Sequence, residues 1–242
     1  MVHTLPDYTS KWKTKTISAI ADNAELAARL GSIVSFDRRG NVSWIDDFEA
    51  ATLRWNAVTV GGGGTGALST THARGGDSSV KLVTAATTNR GFHITVYLPM
   101  PTSTRMGVEF SFATDDADWF LNCIYSIDDR IQRKYMGITW TESTDTIAVY
   151  DQTGLTTPVM TNAKSLNDAY MFHTIKLVSD FSTNDYMRLL WDDIETDLTA
   201  YHIYRTVTAD TRFATLDIAF TTKENVAKTC YIDNVITTMN EA

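Results

Sequence analysis

Cys230-Tyr231-Ile232-Asp233-Asn234-Val235-Ile236 closes the chain as an apolar strand carrying one acidic residue. Asp46-Asp47-Phe48-Glu49 opens the main domain almost two hundred residues earlier with a second acidic-aromatic segment. Between them Met106, Val108, Phe110 and Phe112 alternate with Gly107, Glu109 and Ser111, the pattern of a half-buried strand. Further strands are predicted over 42–45, 79–83, 92–98, 119–126, 134–139, 146–150, 172–178, 186–191, 202–205, 213–220 and 229–236. Turn clusters such as Gly75-Gly76-Asp77 and Ser182-Thr183-Asn184-Asp185 separate them. Many short strands at this spacing predict an all-β, two-sheet antiparallel jelly-roll sandwich over residues 46–242, with first and last strands meeting.

Residues 1–45 read differently. Lys11, Lys13 and Lys15 alternate with Trp12, Thr14 and Thr16, an extended arm with one basic face. Asp22 can cap a helix that Gly31 stops, carrying Leu26 and Leu30; about ten residues are too few to be stable alone. Lys11, Trp12, Lys13, Lys15, Leu26 and Leu30 are therefore the candidates for docking this arm onto a partner or a sister subunit.

The 242 residues carry a net charge of −8, unevenly spread. Residues 1–45 hold six Lys/Arg against four Asp/Glu, whereas residues 46–242 hold 15 against 25. An acidic main domain disfavours nucleic acid, whose phosphates need a basic footprint. No run is apolar and long enough to span a bilayer, and the N-terminus lacks the pattern of a signal peptide. The expectation is a protein that stays in the cytoplasm until it is assembled into something larger. Cys123 and Cys230 lie in apolar strands and read as two buried thiols.

Catalytic patterns are weak. Gly61-Gly62-Gly63-Gly64-Thr65-Gly66 contains GxGxxG but no helix follows, so it reads as a flexible strand connection. Glu195 and Asp197 begin the alternate spacing of a sandwich glycosidase, yet no third carboxylate follows, and they read as solvated turn carboxylates after an Asp192-Asp193 hairpin turn. The five histidines have no ligand spacing. Asp47, Glu49, Asp233 and Asn234 supply only oxygens; if the end strands neighbour each other, they make a calcium site that staples the fold. No other cofactor is expected. Trp44, Trp119 and Trp191 sit in apolar runs and read as core; Trp55 and Trp140 sit beside polar residues and are the candidate carbohydrate-stacking pair.

Asp46-Asp47-Phe48-Glu49, Gly76-Asp77-Ser78-Ser79-Val80-Lys81-Leu82 and Tyr231-Ile232-Asp233-Asn234-Val235 together resemble the skeleton of jelly-roll carbohydrate-binding modules. His173-Thr174-Ile175-Lys176-Leu177-Val178 with Leu190-Trp191-Asp192-Asp193 resembles the back-sheet hairpin of concanavalin-like and laminin-G-like domains. The resemblance implies a structural calcium held by the closing Asp233 with Asp47 or Glu49. An N-terminal arm before such a sandwich is similar to the layout of phage virion proteins that decorate capsids or tails. The expectation is a non-enzymatic virion decoration protein, oligomeric, with its arm on a capsid or tail protein and a lectin-like domain outward. The alternatives are a carbohydrate-binding module or lectin acting on polysaccharide and, less favoured, a glycoside hydrolase or lyase.

Overall fold

The computed structural model describes residues 39–114, 116–164, 170–208 and 211–242. The docking residues of the arm and the helix expected at 22–31 lie outside these.

Sixteen strands follow one another in the described residues. They are β1 (Asn41–Asp46), β2 (Asn56–Val60), β3 (Thr65–Ser69), β4 (Ser79–Val83), β5 (Gly91–Leu98) and β6 (Arg105–Ala113). Next come β7 (Trp119–Asp128), β8 (Gln132–Thr141), β9 (Thr146–Tyr150), β10 (Thr156–Thr161) and β11 (His173–Asp180). The chain ends with β12 (Asp185–Trp191), β13 (Ile194–Asp197), β14 (Tyr204–Val207), β15 (Phe213–Thr222) and β16 (Thr229–Met239). The helical content of the described residues is one 3-10 turn, Glu142–Thr144.

The strands form two antiparallel eight-stranded sheets. The back sheet runs β13-β12-β11-β6-β16-β4-β3, with β1 also paired to β16. The front sheet runs β10-β9-β8-β7-β15-β5-β2, with β14 also paired to β8. The first and last described strands do meet, Trp44 standing opposite Thr237 and Asp46 opposite Val235. A boundary at residue 45 would cut β1, so the sandwich includes Asn41 onward.

Alternation decides which side chains face inward. Ile94 and Leu98 of β5, Leu121 and Tyr125 of β7, Leu216 and Ile218 of β15 are buried against Phe110 and Phe112 of β6. An aromatic knot lies at the centre: Trp140 is 4.4 Å from Trp119, 4.9 Å from Phe112 and 4.8 Å from Trp191 between ring centroids. The Tyr186 hydroxyl crosses the sandwich from β12 and donates to the Tyr150 carbonyl oxygen at 2.9 Å. Cys123 and Cys230 are free and buried, and burial pushes both thiols up.

Four strands were not legible in the sequence: β2, β3, β10 and β13. The glycine run explains the first two. Gly61, Gly62, Gly63 and Gly64 all take positive φ, between +70° and +93°. Consecutive residues rarely adopt that conformation unless they are glycine. The run turns the chain sharply from β2 in the front sheet to β3 in the back sheet.

Candidate functional site

The outer face of the front sheet is built by the alternate residues that do not enter the core. Register aligns them into rows across the strands. In one row Tyr97 of β5 stands beside Thr215 of β15, then Ser126 of β7, Tyr135 of β8 and Tyr204 of β14. The next row runs Asn56, Thr95, Asp217, Ile124, Gly137 and Tyr150. The third runs Val58, His93, Ala219, Asn122, Thr139 and Ala148.

Aromatic rings stand towards both ends of the first row. Tyr97 is 64% exposed and meets the Phe213 ring edge-on, 5.9 Å between centroids. Tyr135 and Tyr204 lie 5.4 Å apart with their planes tilted by 32°. The floor between them is made of small or hydroxyl-bearing residues. Ser126 and Thr215 share a hydrogen bond of 2.6 Å, and Thr139 donates to Asn122 at 2.6 Å. Gly137 leaves the Tyr150 ring unobstructed: a Cβ there would approach the ring to 2.9 Å.

Basic and acidic side chains lie together at two places on this face. His93 Nδ1 lies 2.9 Å from Asp217 Oδ2, and both side chains are about a quarter exposed (26% and 27%), so solvent and solutes reach them. Thr95 also donates to Asp217 Oδ2, at 2.5 Å. Arg133 binds the fully buried Asp128 at 3.1 Å and lies over the Phe213 ring, 4.9 Å from its centroid. The face therefore offers flat apolar rings, hydroxyls, amides and one reachable carboxylate, a set suited to stacking on and hydrogen-bonding a polyhydroxylated ligand.

The back sheet presents a different outer face, closed by ion pairs. Lys176 Nζ lies 2.9 Å from Glu241, Arg188 binds the same carboxylate, and all three side chains are buried. Lys176 also donates to the Arg39 carbonyl oxygen at 3.1 Å. Such a network fixes Glu241 over β11 and β12.

Near the meeting of the end strands, two carboxylates hold the loop between β3 and β4. Asp233 Oδ2 accepts the backbone N–H groups of Arg74 at 2.7 Å and Gly75 at 3.2 Å, and Oδ1 accepts that of Asn234 at 2.7 Å. Glu49 Oε1 accepts the N–H groups of Asp77 and Ser78 at 2.9 and 2.8 Å. Gly76 between them has φ +69°, and a Cβ there would stand 2.3 Å from the Glu49 carboxylate. Burial, with the Glu49 charge adding to it, pushes the Asp233 carboxyl up to about 6 against the pull of its N–H donors.

No protein-family model matches the chain, and no curated protein matches it. Among solved structures, a Bacillus subtilis protein of unknown function with a galectin-like fold superposes with a TM-score of 0.55. The two are 9% identical over 83% of this chain and 97% of that one. An endo-β-1,4-glucuronan lyase from the fungus Trichoderma reesei gives 0.49 at 11% identity, over 82% and 96% of the two chains. The family 11 carbohydrate-binding module of a Clostridium thermocellum cellulase gives 0.45 at 12%, over 84% and 95%. At such identities the likeness concerns the fold. The fold is the two-sheet antiparallel jelly-roll sandwich that the sequence implied, and it is galectin-like.

The residues expected to bind sugar are displaced by this geometry. Trp55 is 4% exposed and Trp140 is 0% exposed, so neither can stack on a glycan. Trp55 is turned inward because its indole N–H donates to Asp46 at 3.0 Å and its ring packs on Trp44 and Phe48. Trp140 is the centre of the core, and removing such a side chain costs about 3–5 kcal/mol of stability. The exposure of Tyr97 has a sequence signal in the alternation of His93, Thr95 and Tyr97 with Phe92, Ile94 and Val96.

The four expected calcium ligands do not fit the ion. Calcium takes six to eight oxygens at about 2.3–2.6 Å. Here the Asp233 and Glu49 carboxylates are turned onto backbone N–H groups, and Asp47 accepts the N–H of Glu49 at 3.2 Å. Among the described residues no three His, Cys, Asp or Glu side chains gather as a metal site. Asn234 serves instead as the positive-φ residue, +52°, of a bulge in β16. Glu195 is not simply solvated either, since Arg39 grips it with two bonds of 3.0 and 2.7 Å. Asp197 does cap its own turn, and hydrogen bonds from Thr199 hold its carboxyl below the usual range.

Proposed function

We propose that the sandwich is a non-enzymatic glycan-binding domain and that its ligand lies on the outer face of the front sheet. The observation that carries this is the row Tyr97–Thr215–Ser126–Tyr135–Tyr204, rings towards both ends and hydroxyls between. Among the described residues the three rows bring together no pair of carboxyl groups, which supports a binding role. Hydrolysis of a glycosidic bond takes two carboxyl groups flanking it. Asp217 is the acidic residue within the three rows, and Asp128, paired in register with Phe213 and Arg133 at their margin, is buried. Glu195 and Asp197 belong to β13, at the edge of the other sheet.

The finer reading is a decoration protein of a phage-like particle. It rests on the change of charge along the chain, a basic segment 1–45 before an acidic sandwich. In this reading Lys11, Trp12, Lys13, Lys15, Leu26 and Leu30 dock onto a capsid or tail protein or a sister subunit, and the glycan face points outward.

A broad glycan panel tests the binding role. Retention of one glycan class, weakened by Tyr97→Ala and Tyr135→Ala, with no new reducing ends released on long incubation, is the expected outcome. Turnover of a glycan that is lost in Asp217→Asn would replace this reading with an enzyme.

A further inference from the structure

We infer that the front face takes an uncharged oligosaccharide laid across the strands and held at two separate aromatic anchors. This rests on the glycan-binding reading and adds the ligand's length, direction and charge.

Length and direction come from the register. Tyr97 on β5 and Tyr135 on β8 belong to one row, with β15 and β7 between them. Three strand spacings of about 4.8 Å place the two positions about 14 Å apart. A single sugar ring is too small to rest on both. The first anchor is Tyr97 with Phe213; the second is Tyr135 with Tyr204. What joins them is a strip of hydroxyls, Thr215 and Ser126, perpendicular to the strands. A chain that follows this strip stacks at both anchors and meets hydrogen-bonding groups between them. A chain running along the strands meets one anchor at most.

Charge comes from the ion pairs. The basic side chains nearest these rows already lie against carboxylates, His93 Nδ1 at 2.9 Å from Asp217 and Arg133 at 3.1 Å from Asp128. A uronate or sulfate group laid there would meet the Asp217 carboxylate and would have to break one of these pairs. The domain as a whole is acidic, which also slows the approach of a polyanion. Sugar hydroxyls instead donate to the Asp217 carboxylate where His93 and Thr95 hold it.

Titration calorimetry with the full chain tests this, using neutral gluco-, xylo- and manno-oligosaccharides from monosaccharide to hexasaccharide, and oligouronates of matched length. For one neutral series affinity should climb steeply until the chain bridges both anchors and then level off. Tyr97→Ala should weaken the bridging lengths about tenfold, the loss of one stacking contact. Tyr204→Ala should do the same from the other end, and the affinity of either variant should no longer rise with length. Melting temperatures of the variants report whether they fold. Equal affinity for monosaccharide and hexasaccharide, or preference for oligouronates, would overturn the two-anchor, uncharged site while leaving glycan binding intact. Failure of the native protein to bind any glycan would overturn the binding reading itself.

Discussion

Asp233 accepts the backbone N–H of Arg74 at 2.7 Å, tying the last strand to a loop 159 residues earlier in the chain. Glu49 holds the other end of that loop through Asp77 and Ser78. Two carboxylates thus do by direct hydrogen bonding what a structural calcium would do by coordination. Charge-assisted bonds of this kind contribute about 1.5–3 kcal/mol, and the N–H groups they satisfy would otherwise be left without an acceptor.

The melting temperature should therefore be indifferent to calcium and to chelator. Asp233→Ala should destabilise the sandwich by about 1–3 kcal/mol. For a domain of this size that corresponds to a fall of about 2–4 °C per kcal/mol. Scanning calorimetry of native and variant protein, each with and without calcium, measures both. A rise of several degrees with calcium in the native protein alone would restore the metal site.

Asp233 also sets a pH dependence. Its carboxyl is raised from 3.8 to about 6 in the folded chain, chiefly by burial. The folded state thus binds its proton more readily than the unfolded state does. The resulting stabilisation is complete below about pH 3.8 and is lost as the pH rises through about 6. Asp180, lowered to about 2 by bonds from Ser182 and Arg105 that outweigh its burial, acts in the opposite sense and only at more acid pH. The difference in unfolding free energy between native and Asp233→Asn protein should accordingly grow in favour of the native as pH falls from 7 to 4. A difference that is flat across that range would show that the Asp233 proton is not linked to folding.

β1 belongs to the sandwich through its pairing with β16 and through Trp44, whose ring is 5.7 Å from that of Trp55. Removal of residues 1–38 should leave a folded β-rich domain by circular dichroism. Removal of residues 1–45 should not, because it strips the partner from Ile236–Met239 and leaves an open strand edge prone to aggregation. Equal solubility and cooperative melting of both truncations would refute the role of β1.

What the sequence made legible follows from periodicity. β6, β11 and β15 were readable because apolar residues alternate or run through them, and their neighbours on both sides are core strands. β13 and β10 are short edge strands with exposed, polar patterns, so no apolar period marks them. The site was misread for a related reason. Local polarity placed Trp55 and Trp140 at the surface, but Trp55 is buried by the folding back of the segment that carries Trp44 and Phe48, and Trp140 by Trp119 and Trp191 of other strands. Tyr97, Tyr135 and Tyr204 lie far apart in sequence and become one row only through the register of five strands. Similarly, Asp233 and Glu49 were recognised as a pair at the end strands, whereas the amides that occupy them come from a third segment.

The central claim is that the front face is the ligand site. The most direct test is a crystal structure of the full chain with a neutral oligosaccharide selected from the panel. Sugar density lying across β5, β15, β7 and β8, with rings stacked on Tyr97 and on Tyr135 or Tyr204 and a hydroxyl on Asp217, is the predicted result. Sugar bound at the strand-end loops or on the back sheet, with the front face empty, would contradict it.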